Sequence, residues 1–157
     1  MAPPSIVLGQ DTFTVSPLPA MDSFAMQSRI APIVVELLAL AAALLQAGGE
    51  ALSEKTDLGK VDLSKLDMGT IGPAVARICK AMPAPELRAV TTELLQSATI
   101  NGQLLAPMFD LKMQGRTVDT WRLLFFAVRV NYPDFFALVG KSGAPAAGAA
   151  TASPSVG

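Results

Sequence analysis

The chain has 157 residues, enough for one domain with tails. Hydrophobic residues make up 51% of it, charged residues 16%, and the net charge is −1. That balance leaves apolar material beyond the needs of a core, and it lacks the basic excess on which nucleic-acid binding rests. With one cysteine and no histidine, an intrachain disulfide, a zinc centre built on histidine or several cysteines, and a histidine acid–base relay are excluded within one chain. Cys79, in the helical pattern AVARICKAM, reads as a small buried apolar residue.

In chain order, the N-terminal MAPPSIVLGQDTF has neither a basic region nor a long apolar one, so no leader is expected, and the cytoplasm is the default compartment. Ser5–Leu8 and Thr12–Ser16 are short β-type runs around Gly9-Gln10-Asp11, which predicts a hairpin over 5–16. Pro17-Leu18-Pro19 then leads into a helical pattern running to about Ala47. Pro32 lies inside it and removes the bond its amide would give Ser28, so a kink or break is expected there. Beyond Pro32, IVVELLALAAALLQA is apolar almost all round, the mark of a central buried helix. A transmembrane reading of this run is disfavoured by Pro32, Glu36, Gln46 and the lack of basic anchors on both sides.

Residues 50–69 read as a charged linker. A helix is expected over Ile71–Met82 with Pro73 in its first turn, and another from Pro85 to about Ser97 with that proline at its first position. Asn101–Gly115 fits either a second short hairpin or an irregular loop. Thr117 is a reasonable N-cap for a helix that Asn131-Tyr132-Pro133 interrupts, because residues before proline avoid the α region. A short helix over Asp134–Val139 would close a domain spanning 1–140. The Ala/Gly/Pro/Ser tract 141–157 offers nothing to pack and is expected to be disordered. The fold class is thus mainly α, with a short N-terminal β-hairpin and a disordered C-terminal tail.

The stretch Thr117–Gly140 holds the only Trp, the only Tyr and four of the seven Phe residues. On a helix, Trp121, Leu124, Phe125 and Val128 share one face, while Leu123, Phe126 and Val130 lie roughly opposite, with Arg122 and Arg129 at the boundary. Two apolar faces need two covers: one comes from the chain, and the second, over Leu123, Phe126 and Val130, is either further core or an interface with a partner or a second copy. Trp121 is the core anchor, and Leu123, Phe126, Val130, Phe135 and Phe136 are the candidate partner-binding residues. Gly140-Lys141-Ser142 echoes a phosphate-binding loop, but the glycine required upstream is replaced by Phe135. Asp57, Asp62 and Asp67 lack the spacing of a calcium loop. No metal, cofactor or catalytic constellation emerges, and an enzyme is not expected.

Two stretches resemble a known family. Thr12–Ala20, TFTVSPLPA, leading into a long apolar helix, is similar to the start of small phage tail assembly chaperones. The run WRLLFFAVRVNYPDFF resembles their C-terminal pattern, through Trp121, Asn131, Tyr132, Phe135 and Phe136. The resemblance covers about a third of the chain and brackets the ordered region; the middle, from Gly48 to Gln114, carries nothing that matches. It implies a non-enzymatic protein of the host cytoplasm. Such proteins bind the long, apolar tape measure protein and keep it soluble while tail tube subunits assemble around it. They are absent from the finished particle. Trp121, Asn131 and Tyr132 would then anchor the fold. It also implies a longer product made by ribosomal frameshifting, for which codons of Gly140-Lys141 are the candidate site. Self-association is a further expectation, and stable membrane insertion is not. The rival reading is a structural tail protein retained in the virion.

Overall fold

The computed structural model describes residues 3–47 and 68–133. Strands β1 (Ser5–Leu8) and β2 (Asp11–Thr14) form the expected hairpin, closed through Gly9 at φ 66°. The turn is one residue tighter than the sequence suggests, because Asp11 pairs with Leu8. A positive φ suits glycine, which lacks the Cβ that makes this region unfavourable.

A second hairpin, β3 (Thr99–Ile100) and β4 (Gln103–Leu104), extends the sheet to four antiparallel strands in the order β1-β2-β3-β4. Its turn is Asn101-Gly102, both at positive φ (49° and 85°), as a tight two-residue hairpin turn requires. Asn101 also splices the two hairpins together. Its amide N–H donates to the Thr12 carbonyl at 2.8 Å. Its side-chain oxygen accepts from the Thr12 amide at 2.9 Å, and its side-chain nitrogen donates to Asp11 at 2.8 Å. The Thr14 and Thr99 hydroxyls are hydrogen-bonded across the same seam. The inner face of the sheet contributes Ile6, Leu8, Phe13 and Ile100 to the core.

Helix α1 spans Ala20–Ala47 without interruption, with Pro32 inside it. The break allowed for at Pro32 does not occur. Ser28, whose carbonyl the proline leaves without a helical donor, is exposed and can be solvated. Helix α2 (Met68–Ala81) begins three residues earlier than expected, so Pro73 lies deeper than the first turn. Cys79 is exposed, contrary to the expectation of burial. Its neighbour Ile78 takes the inward position, and Cys79 lies about 100° further round the helix. Helix α3 (Ala84–Leu94) follows Pro83, with Pro85 in its first turn. A short 3-10 turn, Ala106–Met108, leads into α4 (Phe109–Met113), filling the segment left open between hairpin and loop.

Helix α5 (Thr117–Asn131) is the centre of the fold: it touches α1, α3, α4 and β1. Every residue from Leu123 to Val128 is buried, as is Trp121. The second half of α1 was expected to be the central buried helix; over residues 33–40, where its side chains are described, Val35 and Ala39 are exposed, so that part of it is one-sided. Mean apolarity favours α1, but burial follows position, and α5 has neighbours on all sides.

Both ends of α5 are tied down by side chains. Arg116, rather than Thr117, precedes the first helical residue. Its guanidinium reaches Asp11 at 2.7 Å, Asp119 at 3.1 Å and the Leu8 carbonyl at 3.1 Å, and lies over the Phe13 ring at 5.6 Å. Burial disfavours the Arg116 charge, but the two carboxylates outweigh it and raise its pKa. Hydrogen bonds from Asn101 and Arg116 in turn lower that of Asp11. At the other end Asn131 donates to the Ala127 carbonyl at 2.8 Å and accepts from the Leu18 amide at 2.7 Å. The Tyr132 hydroxyl donates to the Ser23 carbonyl at 2.6 Å. The Pro17-Leu18-Pro19 lead into α1 is thereby fastened to the end of α5.

Candidate protein-binding surface

The residues singled out on α5 divide in the structure. Trp121 packs beside Phe125, ring centroids 5.8 Å apart. Leu123 is fully buried and Phe126 is 5% exposed, with the Arg129 guanidinium 5.8 Å from the Phe126 ring. Val130 is half-buried against the same core. Of the two covers left open for this face, core or interface, the chain itself supplies the one over Leu123 and Phe126. Phe135 and Phe136 lie outside the described residues, as do nearly all of the linker and the C-terminal tail. Asn131 and Tyr132 join α5 to the start of α1 through the bonds given above.

What the sequence reading missed is the outer side of α1. The large apolar side chains that remain exposed among the described residues are Val7, Met21, Phe24, Val35, Leu104 and Leu111. Three of these six, Met21 (75%), Phe24 (68%) and Val35 (62%), sit on α1. With Ser28, Ala31 and Ala39, also exposed, they recur at intervals of three or four residues. At 100° per residue the six positions fall within about 80° of arc, one continuous stripe.

The opposite side of α1 is occupied. Met26, Ile30, Ile33 and Leu37 are buried. Arg29 bridges to Glu86 at 2.6 Å and Glu93 at 3.0 Å on α3, and Glu36 is held by Arg77 of α2 at 2.8 Å. By length and composition Ala20–Leu40 could cross a membrane. Spanning one would require withdrawing that buried face and both charged residues from their partners. Among the described residues no cluster of Cys, Asp and Glu could hold a metal ion, and no buried polar side-chain atom lacks a hydrogen-bond partner. The site that the geometry offers is an apolar surface for macromolecular contact.

The family described as "Phage tail assembly chaperone protein, TAC" matches over residues 9–145. The chain belongs to this family. The match begins just after β1 and takes in β2, the second hairpin, the five α-helices of the described residues and the segment beyond Pro133 that includes Phe135 and Phe136. No curated protein and no solved structure matches the chain. A tail assembly chaperone acts on tail proteins by contact rather than by chemistry, which points to a non-enzymatic role and a tail-protein partner. For that role an exposed apolar helix face is the relevant asset, since contiguous exposed apolar surface marks interaction sites in soluble proteins.

Proposed function

We propose that the chain binds the tape measure protein in the host cytoplasm, keeps it soluble while tail tube subunits assemble around it, and then leaves. Membership of the tail assembly chaperone family over residues 9–145 carries this reading. The exposed apolar side of α1 supports it, because a long helical client with apolar faces needs such surfaces as temporary cover. Phe135 and Phe136, three and four residues after Tyr132, are proposed as additional partner contacts, with Val130 at the margin. Leu123 and Phe126 act on binding through the fold that they fill.

Co-expression with the longest open reading frame encoded just downstream, followed by pull-down through a tag on this chain, tests the reading. The expected result is recovery of a soluble complex with a helix-rich partner that is insoluble alone. A downstream protein that stays insoluble while this chain runs free would end the proposal. Mass spectrometry of purified virions is expected to find the chain absent; its presence in stoichiometric amount would favour a structural tail protein. A longer frameshifted product is proposed at Gly140-Lys141, and a gene without a slippery heptamer there would remove it.

A further inference from the structure

We infer that the exposed stripe of α1, Met21, Phe24, Ser28, Ala31, Val35 and Ala39, is the seam on which an amphipathic helix of the client docks. The inference rests on the proposed chaperone function and assigns the surface that performs it.

Four observations select this occupant. Intervals of three and four residues are those by which one helix offers a seam to another. Bulky Met21 and Phe24 at one end and Val35 towards the other flank Ser28 and Ala31, where small side chains let a second helix come close. The seam itself carries no charge; of the charged residues beside it, Arg29 and Glu36 are held by α3 and α2, and Asp22 lies at its N-terminal end, about 100° round the helix from Met21, so the complementary surface is apolar. Pro32 has no amide to give the Ser28 carbonyl, which leaves an acceptor short of its helical donor at the middle of the seam.

Area argues against a permanent homodimer on this face. At 1.5 Å per residue the stripe is about 28 Å long and roughly 10 Å wide, on the order of 300 Å². A standard stable interface buries about 800 Å² on each partner. One such seam gives a reversible contact, as suits a chaperone that must let go, and a long helical client has room for many copies of it.

The test is the double variant Phe24→Glu, Val35→Glu in the full chain, co-expressed with the tape measure protein. Leu111→Glu, at an exposed apolar position on α4 (75%), serves as the control. Circular dichroism verifies that each variant keeps its helical content. The double variant is expected to lower recovery of the client about tenfold, which corresponds to losing a few apolar contacts, while the control binds as the wild type does. Equal recovery with all three proteins would overturn the assignment and leave the chaperone function standing; a wild type that recovers no client would overturn both. Light scattering on the purified proteins and flotation with lipid vesicles complete the test. If the double variant changes only the oligomeric mass, the stripe belongs to a second copy; if it loses only vesicle binding, to a bilayer surface. Either result overturns the assignment.

Discussion

Helices α1 and α5 invert what their sequences suggest. The first is apolar along most of its 28 residues, yet it shows solvent a stripe from Met21 to Ala39. The second carries Asp119, Arg122 and Arg129 in 15 residues and is buried on all sides from Leu123 to Val128. Composition sets how much surface a helix could bury, whereas topology decides how much it does. With α1, α3, α4 and β1 around it, α5 has no free side, and its charged residues are accommodated at its margins, as in the Arg116–Asp119–Arg122 chain. Lying at the outside, α1 uses one face for the core and leaves the other uncommitted.

The sharpest way to break this contrast is to remove a ring from the centre. Phe125→Ala is expected to destabilise the protein by about 3–5 kcal/mol, the range for a fully buried phenylalanine, and urea unfolding followed by circular dichroism would measure it. A loss under 1 kcal/mol would mean that α5 is not the core helix. Next comes the tie between the two helices. Asn131→Ala removes the acceptor for the Leu18 amide and is expected to cost about 1–3 kcal/mol, mostly from leaving that donor unsatisfied. Amide exchange at Leu18 should accelerate in step; unchanged protection there would show that the lead into α1 is held by other contacts.

The outer side of α1 should behave in the opposite way. Val35→Glu is expected to change stability by no more than about 0.5 kcal/mol, as for a surface position away from caps and strain. A large loss in the same urea experiment would show that the stripe is covered in solution. The smallest effect is expected at alkaline pH. Burial, partly offset by the bond to Ser23, pushes the Tyr132 pKa above its ordinary 10.0. Its contribution is fully present below pH 10 and falls away as pH rises through the raised value, because the folded state holds the proton more tightly than the unfolded one. Tyr132→Phe should flatten that alkaline loss, and identical profiles for the two proteins would discard the idea.

Much of the fold was legible because its signals are local. Gly9 marks the first hairpin, Pro83 and Pro85 the start of α3, and Asn131-Tyr132-Pro133 the end of α5. The second hairpin was left undecided because two-residue strands carry no alternation, although Asn101-Gly102 is the dipeptide that such a turn favours. The central helix was misjudged because periodicity describes one helix at a time and cannot count its neighbours. The candidate surface suffered from the same blindness. Two apolar faces on α5 are indistinguishable by sequence from one face plus an interface, and only packing shows that Leu123 and Phe126 point into the core. Conversely, in an almost uniformly apolar helix nothing local separates Val35 from Leu37, yet one is 62% exposed and the other 1%.

The splice between the hairpins bears on how the chain reaches this structure during synthesis. Thr12 meets Asn101 across a separation of 89 residues, and Leu18 meets Asn131 across 113. The four-stranded sheet cannot form until Leu104 has left the ribosome, and the anchored start of α1 not until Asn131, almost the last described residue, has done so. Contacts of such long range make folding slow relative to a simple helical bundle of the same size. Until α2, α3 and α5 have emerged in turn, the inner side of α1 is incompletely covered as well as the outer, and the nascent chain is itself the kind of apolar helix that a chaperone would shelter.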